Sequence, residues 1–168
     1  MSGRKLVAAP ITPERFAPYG QVIGPLPERR QAMNAARFER FDHLANIDIE
    51  SADDGRPTIS IARARVAVAL PYRFDMVERH PLGSQAFIPL SPFRFVVVVA
   101  RPGETVEADD LRAFVTNGHQ GVNYDRGTWH MPLIALEAGD EFLVVDRAGG
   151  GNNCEERILA ESVTLSLE

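Results

Sequence analysis

Apolar residues recur at every second position through most of this chain, the spacing of strands whose side chains alternate between two faces. Ile59 and Ile61 alternate with Ser60 and Ala62, and Tyr72, Phe74 and Met76 alternate with Arg73, Asp75 and Val77. Phe38 and Phe41 stand among charged residues in the same manner. The β-branched run within Phe93 to Ala100 predicts a buried strand, and Ala86 to Leu90, Met131 to Leu136, Glu141 to Asp146 and Ile158 to Leu167 predict further ones. Turn signals separate them at Asp53-Asp54-Gly55, Arg101-Pro102-Gly103, Glu137-Ala138-Gly139-Asp140 and Ala148 to Asn153. Helical character is confined to the start, where Thr12 is placed to cap and Pro13 suits the first helical position, with an end expected near Tyr19-Gly20.

Roughly ten short strands with frequent turns predict an all-β fold, a closed barrel or jelly-roll sandwich, because such architectures dispose of their unpaired edges. The 168 residues suit one domain with a substantial core and leave too little chain for two. The formal charge of −5 is scattered without a basic stripe, which argues against nucleic acid and anionic membranes and for a small-molecule partner. The longest apolar run, Phe95 to Ala100, is too short to span a bilayer. A single cysteine, Cys154, excludes an internal disulfide, and with no signal-peptide pattern at the start it points to a reducing, cytoplasmic compartment.

Candidate chemistry collects in two polar stretches. Glu78 to Gln85 feeds the apolar run 86–90, and the Gly- and Asn-punctuated stretch 116–130 feeds the run 131–136, which sets His80 and His130 at strand edges. Glu78 and His80 lie two residues apart and so share a face on extended chain, a spacing suited to metal ligation or acid/base work. Gly127 permits a tight turn before His130. His43 and His119 lack a patterned partner. All basic residues but Lys5 are arginines, whose planar donors suit carboxylates; Arg63, Arg79 and Arg126 are the notable ones, the last two flanking the histidine stretches. Trp129 beside His130 is a candidate pocket wall, and Asn117, Gln120 and Asn123 are candidate polar contacts.

Glu78-x-His80-x-x-x-x-Gln85 resembles a degenerate first motif of the cupin superfamily, and Gly127-x-x-His130 resembles the end of its second. More narrowly, ERHPLGSQAFIPL (78–90), FVVVVA (95–100), LRAFVTNGHQGVNY (111–124), TWHMPL (128–133) and EFLVVDR (141–147) resemble the ureidoglycolate lyase family, most strongly from Glu78 to Asn153. The resemblance implies a cupin-type double-stranded β-helix barrel with a short N-terminal helix, a homodimer that splits ureidoglycolate into glyoxylate and urea during allantoin degradation. Its ligand positions fall on Glu78, His80, Gln85 and His130, with Glu78 where the first histidine is usual and Gln85 where a glutamate is usual. The implied cofactor is a divalent metal such as nickel.

On this reading His80 and His130 divide the acid and base roles or coordinate the metal, and Glu78 orients an imidazole or completes the coordination. Gln85 bonds the ureido carbonyl, Arg63 or Arg126 grips the carboxylate, and Asn117 and Trp129 contact substrate. The dimer surface is expected on an edge strand or at Phe95 to Val99. The alternatives are another metal cupin enzyme acting on a small acid, a non-catalytic cupin that binds one, and hydrolysis of the same substrate to ammonia and carbon dioxide.

Overall fold

The computed structural model describes residues 3–167. Its strands are β1 (Arg4–Val7), β2 (Ala9–Pro10), β3 (Gly20–Ile23), β4 (Arg30–Met33), β5 (Phe38–Phe41), β6 (Arg56–Arg63) and β7 (Tyr72–Arg79). They continue as β8 (Gln85–Pro89), β9 (Val96–Ala100), β10 (Arg112–Val115), β11 (Gly121–Tyr124), β12 (Trp129–His130), β13 (Glu141–Ala148) and β14 (Glu155–Ser166). A seven-stranded sheet runs β1-β14-β7-β12-β9-β10-β2, a five-stranded sheet runs β3-β11-β8-β13-β6, and β4 with β5 forms a separate hairpin. The sheets form the nearly closed all-β barrel that the strand pattern implied, of the cupin type that the resemblance implied.

Alternation along β9 decides where the core lies. Val97 and Val99 join Phe87, Phe95, Val122, Phe142 and Val144, residues drawn from both sheets, so this cluster fills the space between them. Val96 and Val98 point the other way and pack with Leu111, Trp129, Val163 and Leu165. The long sheet is therefore apolar on both faces, and each fully buried valine contributes about 1.5–3 kcal/mol over leaving it in water.

The helix α1 (Pro13–Phe16) forms where Thr12 and Pro13 placed it, with the Thr12 hydroxyl accepting from the Arg15 N–H at 3.2 Å. Phe16 is fully buried in the inner core. Three expectations change. The helix ends at Phe16, short of the end expected near Tyr19-Gly20. The run 131–136 is buried or half-buried chain outside any strand: β12 ends at His130, and Pro132 has no N–H to donate to a ladder. Phe95 to Val99 offers no dimer surface, since those residues are at most 2% exposed in the middle of the sheet. On the edge strand β6, Ile59 and Ile61 face outward, 68% and 61% exposed.

Candidate active site

Strand pairing assembles the site. On β12, His130 pairs directly with Glu78 of β7, and directly opposed residues project to the same side of a sheet. His80 follows β7 by one residue and returns to that side. The His130 Nε2 lies 3.4 Å from Glu78 Oε1 and the His80 Nε2 lies 4.0 Å from the same oxygen. The two rings sit 5.0 Å apart, and one ligand atom from each of Glu78, His80 and His130 falls within 4.8 Å of the others.

Backbone carbonyls fix both imidazoles. The His80 Nδ1 is 2.7 Å from the Asn153 carbonyl, and the His130 Nδ1 is 3.0 Å from the Thr128 carbonyl. A carbonyl only accepts, so each Nδ1 donates and each Nε2 is left facing Glu78. Both Nε2 atoms are buried and without a hydrogen-bond partner among the described residues. Tyr124 of β11 stacks on His130 at 4.5 Å and completes its enclosure.

The titration of the cluster follows from this geometry. The bond to His130 holds the Glu78 carboxyl below its ordinary range against the opposing effect of burial. Burial, then the neighbouring His130, pushes His80 below its ordinary value and keeps it neutral near pH 7. Burial pushes the Tyr124 hydroxyl well up, with the charge of Glu78 adding to it. Two imidazole Nε2 atoms and a carboxylate thus converge. The donor set, two imidazole nitrogens and one carboxylate, is of the kind that would suit a borderline divalent ion.

Gln85 stands at the cavity beside this cluster. Its Nε2 donates to Asp146 Oδ2 at 3.1 Å, and both line a cavity of about 400 Å³ together with His80, Asn152, Asn153 and Cys154. The Cys154 Sγ approaches Glu78 Oε2 at 3.7 Å, and burial, then that carboxylate, pushes the thiol up.

Other candidates lie elsewhere. Arg63 bonds Glu141 at 3.0 Å at the far end of β13, and Glu141 and Asp146 are separated by roughly 17 Å of extended strand. Arg126 is engaged by Asp48 and Glu50, with its Nε 3.0 Å from Asp48 Oδ2. Trp129 projects from β12 opposite to His130, into the outer core, with Arg79 stacked 4.8 Å from its ring and its Nε1 donating to the Gly103 carbonyl at 2.9 Å. Asn117 is spent on its own turn, accepting from the His119 N–H at 2.9 Å. His43 lines a separate cavity. Asn123 is buried and donates to Gln21 and to the Asn46 carbonyl.

Three site residues escape a reading of the sequence. Asn153 hides in a Gly/Asn run that reads as turn. Cys154 is brought in only by the β14–β7 pairing. Asp146 did carry a signal, because it takes the third place of the inward stripe Phe142, Val144, Asp146 and breaks that stripe with a charge.

Fold and site together define a cupin-type barrel with a two-histidine, one-carboxylate cluster at its mouth. The family model for ureidoglycolate lyase matches residues 3–166. Over 165 residues the chain is 48% identical to a ureidoglycolate lyase of Pseudomonas syringae pv. syringae (strain B728a), which covers 98% of this chain and 96% of that protein. It is 46% identical over 164 residues to the ureidoglycolate lyase of Pseudomonas fluorescens (strain SBW25), across 98% of this chain and 97% of that one. The chain belongs to the ureidoglycolate lyase family.

Proposed function

We propose that this chain is a ureidoglycolate lyase, cleaving ureidoglycolate to glyoxylate and urea. The observation that carries the chemistry is the convergence of two buried imidazole Nε2 atoms on the Glu78 carboxylate. The substrate carbon bears a hydroxyl, a carboxylate and a ureido nitrogen. Elimination removes the hydroxyl proton, forms the aldehyde C=O, breaks the C–N bond and returns one proton to the departing nitrogen.

His80 is the imidazole that lines the cavity, and burial keeps it neutral. Its Nε2 accepts the hydroxyl proton and hands it to the ureido nitrogen, a one-proton shuttle of the kind that contributes about 10²–10⁴-fold in rate. The Asn153 carbonyl holds the ring by its Nδ1 throughout. Glu78 faces the same Nε2 with His130 beside it, and the carboxylate offsets the positive charge that His80 gains. In the metal-dependent form of this reading Glu78, His80 and His130 would instead hold a divalent ion, the His80 Nε2 being a ligand and not the base, and the ion would supply the positive charge that attracts the substrate's carboxylate and lowers the pKa of its hydroxyl. Since Arg63 and Arg126 are occupied by Glu141, Asp48 and Glu50, the acid end of the substrate falls to this cluster.

Two further parts of the reading concern the whole protein. A second copy of the chain covers Ile59 and Ile61 on the outer face of β6 in a homodimer, which the exposure of these side chains supports. The protein works in a reducing, cytoplasmic setting, in keeping with its one free cysteine.

The test follows glyoxylate, urea and ammonia together from purified protein. Equal glyoxylate and urea support the lyase; ammonia in place of urea indicates the hydrolase. Saturable binding of ureidoglycolate without product indicates a non-catalytic cupin.

A further inference from the structure

We infer that Asp146, with Gln85, is the specificity-determining pair that receives the terminal ureido amino group of the substrate. This rests on the lyase reading and adds to it the direction in which the substrate lies.

The pair is built by the two strands that floor the barrel. On β13 the inner positions are Phe142, Val144 and Asp146, and on β8 they are Phe87 and Gln85. Val144 pairs with Phe87 and Val145 with Ala86, so the next step of the antiparallel ladder sets Asp146 opposite Gln85. Two apolar rows therefore end together in a polar pair, with the same cavity in front of them that His80 lines.

Their hydrogen bond fixes what the pair presents. Only the amide nitrogen of Gln85 donates to a carboxylate, so the 3.1 Å contact between Gln85 Nε2 and Asp146 Oδ2 turns Gln85 Oε1 away from Asp146. Asp146 Oδ1 has no donor among the described residues. The cavity thus offers Asp146 Oδ1 as an acceptor, with the Gln85 oxygen beside it on the side of His80.

Charge decides which end of the substrate meets them. No arginine or lysine lines this cavity. Arg147, the residue after Asp146, aims its guanidinium at the carbonyls of Glu50, Ala52 and Gly150. Arg126 is held by Asp48 and Glu50. A substrate carboxylate beside Asp146 would meet like charge with nothing to offset it. The ureido end is neutral and carries N–H donors, which match the two acceptors. The substrate accordingly lies with its amino group on Asp146 and Gln85, and its hydroxyl and carboxylate toward the Glu78, His80 and His130 cluster, where a divalent ion would offset the Glu78 charge.

Asp146→Asn is nearly isosteric, and its carbonyl still accepts from Gln85. Its amino group then faces the cavity and opposes the ureido N–H groups. The expected result is a KM for ureidoglycolate raised about ten-fold or more with a much smaller change in kcat. Inhibition by N-carbamoylglycine, which has the acid and the ureido group, should weaken by a similar factor. Inhibition by glycolate, which has the acid and hydroxyl alone, should stay as in the unmodified protein. Gln85→Ala, which removes the other acceptor, should give the same selective loss, and circular dichroism checks that both variants fold. Equal weakening of both inhibitors, or no change in either, overturns the assignment while an active unmodified enzyme leaves the lyase reading standing. An unmodified protein that releases neither glyoxylate nor urea overturns both.

Discussion

Replacing Arg147 by methionine should destabilise the protein by about 3–5 kcal/mol. Arg147 is 8% exposed, and its three guanidinium nitrogens reach three loop carbonyls: Nε to Glu50 at 2.8 Å, Nη1 to Gly150 at 2.7 Å and Nη2 to Ala52 at 2.6 Å. Hydrogen bonds to a charged group contribute about 1.5–3 kcal/mol each, so three sum to roughly 4.5–9 kcal/mol. Ala52 and Gly150 lie in exposed loops and regain water when released, which brings the expected loss to the lower figure. Methionine keeps the apolar stem packed, so the measurement isolates the polar clamp. Gly55 belongs to the same clamp, because a Cβ there would sit 2.7 Å from the Arg147 Nε and 1.8 Å from the Glu50 carbonyl. With a urea m-value of about 2–3 kcal/mol/M, the unfolding midpoint should fall by about 1–2 M at unchanged m. Arg147→Lys, with one point of donation, should recover only part of the loss. A loss below about 1 kcal/mol in Arg147→Met would refute the reasoning, because the loops would then be held by something other than this side chain.

Other expectations follow from the same geometry. His80→Ala should lower kcat about a hundred-fold or more without unfolding the protein, and His130→Ala should do likewise, as steady-state kinetics and a urea titration of each variant will report. Stability of chelator-treated protein should fall on acidification. His80 is held below its ordinary 6.5, so the unfolded chain binds a proton there first and stability drops as pH falls from about 6.5 toward the folded value. Glu78, held below its ordinary 4.5, repeats the effect below that value, and thermal unfolding from pH 8 to about pH 2.5 reads both; constant stability from pH 7 to pH 5 would contradict the His80 part. Gly20→Ala should cost at least about 3 kcal/mol or prevent folding, since Gly20 has φ +153° and a Cβ would lie 1.8 Å from the Asn123 carbonyl; a normal melting temperature would count against that strand contact.

Much of the fold could be read from local pattern, and the shortfall has a physical shape. Val96 to Ala100 announces a strand buried on both faces by its unbroken apolar run, and Thr12-Pro13 announces a helix by its capping chemistry. Periodicity does not reveal partners. The parallel pairing of β1 with β14 joins Arg4 to Val163, a contact between the two ends of the chain that no local signal encodes. The run 131–136 has strand composition, yet after Met131, whose N–H still reaches the Val98 carbonyl at 2.9 Å, Pro132 interrupts donation and the chain leaves the ladder. The Glu78, His80 and His130 cluster was legible because two residues share a short spacing and the third ends a polar stretch of the same character. Side-chain direction was less so: Trp129 and His130 are adjacent in sequence and project to opposite faces, one into the outer core and the other into the site. Arg126 finds Asp48 and Glu50 across more than seventy residues, and Asn153 finds His80 across a similar distance, through pairings that only the folded chain establishes.

The most direct measurement is a simultaneous assay of glyoxylate and urea released from ureidoglycolate by the purified protein, first after chelation and then with nickel or manganese restored. The account predicts the two products in equal amounts, with both lost in His80→Ala. Absence of both products under every metal condition, or glyoxylate accompanied by ammonia in place of urea, would contradict it.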